Sequence, residues 1–150
     1  MVKKKHKTGC KCCDEGLEAT QAFEKEMIAK CGWYAHFVFD DDTYPFSVNC
    51  HTHGLLEKYG HTDLQICLPI PDKVAHAVLW DVVRRIEKGE TFKTGDTAFD
   101  IIQNYPVTFI DAMELDRKVL RIIFPDKTGC IDKKEIEEPY EKQWEVISQN

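Results

Sequence analysis

A single apolar stripe between Pro71 and Gly89 constrains this chain more than any other feature. Ala75, Val78, Leu79, Val82, Val83 and Ile86 recur at the 3.6-residue period of an α-helix, while Arg84, Glu87 and Lys88 fall away from the stripe. Pro71-Asp72 suits the helix start and Gly89 its stop. A helix with one apolar face needs a flat apolar surface to cover. Two neighbouring segments offer one, because residues two apart on a strand share a face. Phe46, Val48 and Cys50 alternate with Ser47, Asn49 and His51, and Leu64, Ile66, Leu68 and Ile70 alternate with Asp63, Gln65, Cys67 and Pro69.

The other elements follow from the same reading. Asp14 to Cys31 reads as a helix with Leu17, Thr20, Phe23, Met27, Ile28 and Cys31 on one side. Trp33 to Phe39 is aromatic and β-favouring on both faces, as an inner strand would be. Residues 90 to 104 read as a loop with a short helical turn near Ala98 to Gln103. Pro106 to Met113 and Lys118 to Phe124 read as two strands joined by a tight turn, and a short helix is expected near Tyr140 to Ile147. The order is helix, three strands, helix, two strands. Short connections between neighbouring strands imply an α+β fold, with one mostly antiparallel sheet of about five strands and helices packed on it. No repeat or linker divides residues 14–150, so they are expected to form one domain, with residues 1–13 a flexible Lys/Cys-rich tail.

Charge narrows the function classes. Five of the basic side chains lie in the first 13 residues, leaving the body with 15 basic against 26 acidic groups. Such a body is a poor electrostatic partner for nucleic acid, which selects basic grooves. No apolar run reaches the roughly 18 residues of a membrane span, and the basic start lacks the apolar stretch of a secretory signal. A cytoplasmic location is expected, with the seven cysteines as reduced thiols or metal ligands.

The chemistry concentrates in Cys50-His51-Thr52-His53-Gly54 and Gly60-His61-Thr62-Asp63. His51 and His53 point the same way if the strand extends that far, and two imidazoles at that spacing are able to share one Zn²⁺. His61 would supply a third ligand, and Asp63 an acceptor for a ring N–H. The bland alternative is a set of loop histidines satisfied by backbone and water. Cys10 and Cys13 form a Cys-x-x-Cys pair with zinc-binding spacing; an idle reduced tail is the competing reading. His36, in an aromatic strand, reads as a core histidine with one buried partner. Trp80, off the helix stripe, reads as partly exposed or as an interface anchor. No P-loop, dinucleotide-binding glycine motif or nucleophile elbow occurs.

Several ordered blocks resemble the family known as domain of unknown function 4262. They are Gly32-Trp33 before an aromatic strand, Phe46 to Leu55 (FSVNCHTHGL), Tyr59 to Ile66 (YGHTDLQI), Gly89 to Gly95 with Tyr105 to Phe109 (YPVTF), and Phe124 to Gly129 (FPDKTG). Together they span about residues 32 to 130, and the cysteine-bearing start is similar to that of some members. Gly54 and His61 match the family pattern. His51 stands where the family usually has an aromatic residue and His53 where it has an aliphatic one. The resemblance therefore implies that a family-wide activity would use His61 and not His51 or His53, and it implies no established reaction. Three function classes remain open on these grounds: a metal- or small-ligand-binding domain, a small hydrolase or transferase with His61 and Asp63 as catalytic candidates, and a protein-interaction module, dimeric or with another partner.

Overall fold

The computed structural model describes residues 25–27 and 29–146. Residues 25–27 and 29–31 are helical, so only the end of the expected helix over Asp14 to Cys31 lies within the described region. Six strands follow: β1 (Tyr34–Phe39), β2 (Val48–His53), β3 (Leu64–Ile66), β4 (Thr97–Ile102), β5 (Tyr105–Glu114) and β6 (Arg117–Ile123). A short helix, α1 (Leu55–Tyr59), separates β2 from β3, and a long one, α2 (Asp72–Glu87), follows β3. Single 3-10 turns lie at Pro45–Ser47 and Tyr140–Trp144.

The strands form one sheet in the order β1-β2-β3-β6-β5-β4. All neighbours are antiparallel except the central pair, where β3 runs parallel to β6 with Leu64 opposite Leu120 and Gln65 opposite Arg121. The fold is α+β and mostly antiparallel, with one strand more than the sequence pattern suggested.

That strand is β4, in the segment expected to be a loop with a helical turn. Asp100 sits at φ +68°, and the pairing with β5 shifts register between Ala98 and Ile102. The bulge moves the next inward side chain from position 100 to 101, so the buried pair is Ala98 and Ile101. A spacing of three imitates a helix. A second correction concerns β1, which lies at the sheet edge and is half-buried throughout, where an inner strand was expected.

The apolar stripe of α2 is buried as its period requires. Ala75, Val78, Leu79, Val82, Val83 and Ile86 join Val48, Cys50, Leu64, Ile66, Leu68, Phe109, Leu120 and Ile122 in one core. Each fully buried aliphatic side chain contributes roughly 1.5–3 kcal/mol. Pro71 precedes the helix, Asp72 complements its positive end, and Arg84 and Arg85 its negative end. Gly89, at φ +106°, takes the left-handed conformation that ends it. Trp80 is half-buried and packs edge-on against Trp33 with ring centroids 4.9 Å apart. No described helix is long and apolar enough to cross a membrane.

The opposite sheet face is polar near β2, β3 and β6, and the C-terminal segment covers part of it. That segment is anchored by Asp126. Its Oδ1 accepts from the Thr128 hydroxyl at 2.6 Å and from the backbone N–H groups of Thr128 and Cys130, and its Oδ2 accepts from Glu137 N–H at 2.9 Å. These donors, the Thr128 hydroxyl foremost, lower its pKa from 3.8 to about 2. A depressed carboxyl pKa stabilises the fold above the unfolded value and loses that contribution as pH falls through the folded one. Stability should therefore decline between about pH 4 and pH 2. Asp126→Asn should flatten that decline while lowering stability at neutral pH. Chemical denaturation across this range would show it, and an identical slope in the variant would refute the anchoring role.

Candidate metal centre

Strand register assembles the site. His36 on β1 lies directly opposite His51 on β2; His51 is opposite Gln65 on β3; Gln65 is opposite Arg121 on β6. Directly opposed residues point to the same face. His36, His51, Gln65 and Arg121 thus form one polar row across four strands. His53, two residues beyond His51, joins the same face opposite Tyr34, whose ring stacks on it with centroids 5.0 Å apart. Immediately after His53, Gly54 at φ +103° lets the chain leave the strand and enter α1.

The three histidines converge. One ligand nitrogen from each of His36, His51 and His53 lies within 4.8 Å of the other two. Ring centroids of His51 and His53 are 4.8 Å apart, and those of His36 and His51 are 5.2 Å apart. A tetrahedral ion with nitrogen ligands at ~2.0–2.1 Å draws its donors to about 3.3 Å from one another, so small side-chain rotations close the set.

Hydrogen bonds fix which nitrogen of His51 is available. Arg121 has donors only, and its Nε–H donates to Gln65 Oε1 at 2.7 Å. That turns the Gln65 amide so that its Nε2–H donates to Asn49 Oδ1 at 2.9 Å. Asn49 Oδ1 is then an acceptor, and with the Asn49 carbonyl it receives His51 Nδ1–H at 3.2 and 3.3 Å. The chain Arg121, Gln65, Asn49 assigns the proton of His51 to Nδ1 and leaves the Nε2 lone pair free. This is the arrangement that orients metal-bound imidazoles.

Burial keeps the His51 and His53 rings neutral. Burial, reinforced by the neighbouring His53, His36 and Arg117, pushes the pKa of His51 down to about 2. Burial and then Arg117 and His36 lower that of His53 to about 4. Neutral imidazole is the form that ligates.

Beside the trio, the β5–β6 hairpin brings a carboxylate. Glu114 Oε2 lies 3.7 Å from His51 Nε2, facing a lone pair. Arg117 holds the other oxygen, its Nε–H donating to Glu114 Oε1 at 2.6 Å. The same guanidinium donates to Asp63 Oδ2 at 3.2 Å and to the Thr52 carbonyl at 2.7 Å. At the hairpin tip Leu115 N–H donates to the Tyr44 hydroxyl oxygen at 3.0 Å. His36, His51, His53 and Glu114 line a cavity of about 510 Å³ whose other walls include Tyr34, Val38, Tyr44 and Asp41.

The remaining candidates lie elsewhere. His61 is buried beside Phe92, across a separate small cavity. Its Nδ1–H donates to the Thr62 carbonyl at 2.8 Å, and its Nε2 accepts from Phe92 N–H at 3.0 Å. Both ring nitrogens are therefore engaged, and the structure does not bring His61 to His51 and His53. Asp63 Oδ1 accepts from the Thr52 hydroxyl at 2.7 Å and from Leu55 N–H at 3.1 Å, which ties β2 to the start of α1. Burial raises its pKa, against these bonds and Arg117. Cys10 and Cys13 fall outside the described residues. Cys50 and Cys67 are buried thiols whose pKa values are pushed up to about 12, so they stay protonated at neutral pH.

The sequence pattern expects Ser47, Asn49 and His51 to share a polar face with Asp63, Gln65 and Cys67; strand register brings His51 opposite Gln65, with Asn49 bonded to both, whereas Ser47 lies in the 3-10 turn before β2. His36 was read as a core histidine, and Glu114, Arg117 and Arg121 carried no signal as site residues. Each reaches the site through strand register across distant segments, and the local pattern carries no trace of it. A family model described as "Domain of unknown function (DUF4262)" matches residues 27–123, more than half of the chain. No curated protein and no solved structure matches it significantly.

Proposed function

We propose that this protein, which belongs to the DUF4262 family, binds a divalent first-row metal ion, Zn²⁺ foremost, on His36, His51 and His53. The observation that carries the reading is the convergence of three ligand nitrogens within 4.8 Å on a face that opens into a cavity. Two further features support it. The Arg121–Gln65–Asn49 chain leaves His51 Nε2 without a proton, and Glu114 supplies negative charge beside it. Imidazole nitrogen suits zinc, copper, nickel and iron; zinc accepts three protein ligands and an open fourth position most readily. Because His51 and His53 depart from the residues the family resemblance leads one to expect there, the metal is proposed for this chain alone.

The test is metal analysis of the full chain purified without a histidine tag, after dialysis against buffered zinc. One equivalent per chain is expected from this site. His51→Phe and His53→Leu, both apolar replacements of similar character to the residues expected there, should each remove it. His61→Ala should retain it. Cys10→Ser with Cys13→Ser separates any second equivalent held by the cysteine pair. If the equivalent survives in a His51→Phe/His53→Leu double variant, the trio is not the site.

A further inference from the structure

Resting on that metal site, we infer that the protein hydrolyses small uncharged acyl compounds, with Glu114 as the general base. Three protein ligands leave a metal position open, and all three histidines line the same cavity, so that position faces the space a substrate would occupy. Glu114 stands beside it. Its Oε1 is held by Arg117 at 2.6 Å, which fixes the carboxylate plane and leaves Oε2 as the oxygen nearest His51 Nε2, at 3.7 Å. An ion held on that nitrogen would have Glu114 Oε2 beside it, as a base for a water that the ion would make more acidic.

The step balances with water as the only co-reactant. An ion held by His36, His51 and His53 would raise the acidity of a water beside it, and Glu114 Oε2 would take that water's proton. The hydroxide oxygen forms a bond to the acyl carbon as the carbonyl π pair moves to its oxygen. When that pair returns, the bond to the leaving oxygen or nitrogen breaks, and the leaving group departs with the proton that Glu114 held. Nothing is oxidised or reduced.

The cavity's charges select the substrate class. Asp41, Glu114 and Asp116 line it against a single cation, Arg117, which already faces Glu114 and Asp63. Counted with a divalent ion, these three carboxylates and Arg117 would sum to no net charge, which suits an uncharged ester. The volume of about 510 Å³ admits a small molecule.

The zinc-loaded full chain should be assayed with p-nitrophenyl acetate, p-nitrophenyl butyrate and p-nitrophenyl phosphate. Zinc-dependent turnover of the two acyl esters, and none of the phosphate, is expected. Glu114→Gln should keep one equivalent of zinc and lose about 100-fold or more in kcat with KM little changed, and Glu114→Asp should recover part of the rate. Stoichiometric zinc without esterase turnover would overturn the hydrolytic inference and leave the metal site standing. Loss of zinc in Glu114→Gln would make Glu114 a ligand and refute its role as base, as would an undiminished rate. Preferential cleavage of the phosphate would refute the substrate class. Absence of zinc from the unmodified chain would remove both readings.

Discussion

Arg121→Met should lower the unfolding free energy by about 2–4 kcal/mol and weaken zinc binding by roughly 10- to 100-fold. Arg121 is 1% exposed and has no carboxylate in contact among the described residues; its charge is solvated by Gln65 Oε1 and the carbonyls of Gln143 and Glu145. Burial accordingly lowers its pKa. Two effects oppose each other in the substitution. Methionine fills similar volume and removes the desolvation penalty of the guanidinium, which alone would stabilise. It also strands the three acceptors that Arg121 serves, at about 1–3 kcal/mol each when fully buried. The second wins, moderated because the chain near Glu145 lies close to solvent. The effect on zinc follows from the hydrogen-bond chain: without Arg121 the Gln65 amide is free to turn, Asn49 Oδ1 is no longer held as an acceptor, and His51 is free to carry its proton on Nε2. Denaturant melts with and without zinc separate the two. If stability falls while zinc affinity is unchanged, the hydrogen-bond chain does not govern the tautomer.

Val82→Asp should leave no folded population. Val82 is 0% exposed within the α2 core. The substitution removes about 1.5–3 kcal/mol of apolar burial and places a carboxylate among apolar side chains, at a further several kcal/mol. A typical domain has only about 5–15 kcal/mol in total. Loss of the cooperative unfolding transition by circular dichroism is the expected outcome. A variant that melts like the original would mean that the α2 stripe does not bear the core.

These two sites show where a sequence is legible and where it is not. The α2 stripe is written in the chain's own period, so Val78, Leu79, Val82 and Ile86 were identifiable from spacing alone, as were the sheet residues Val48, Leu64, Ile66 and Leu68 that join them in the core. The alternation of β2 likewise put Asn49 and His51 on one face. Pattern reading failed where a single backbone irregularity broke the period, at Asp100, and at Phe46, whose φ of +57° carries the expected alternation through a 3-10 turn before β2 begins at Val48. It also favoured His61 as a partner because His61 was expected to arrive at the start of the next strand. Space orders the residues differently. His36 precedes His51 by 15 positions yet lies opposite it, and Arg121 lies in the same row from the far end of the chain. Which strand sits beside which is decided by the whole hydrophobic surface, so a site assembled by register remains hidden until the topology is known.

The parallel seam between β3 and β6 divides the site by the order in which its parts can form. His36, His51 and His53 all belong to the β1–β2 hairpin, a local unit closed by a short connection. Glu114, Arg117 and Arg121 arrive only when Leu64 and Leu120 meet, after a far longer loop has closed at greater entropic cost. At the proposed site a metal ion would find its three nitrogens before Glu114, the Arg117 guanidinium that holds it and Arg121 are in place. Capture by the early hairpin would tighten in a second stage as the seam forms. Zinc would then bind partly folded chains as well as native ones, and its stabilisation of the native state would fall short of that expected for a ligand of the finished fold alone.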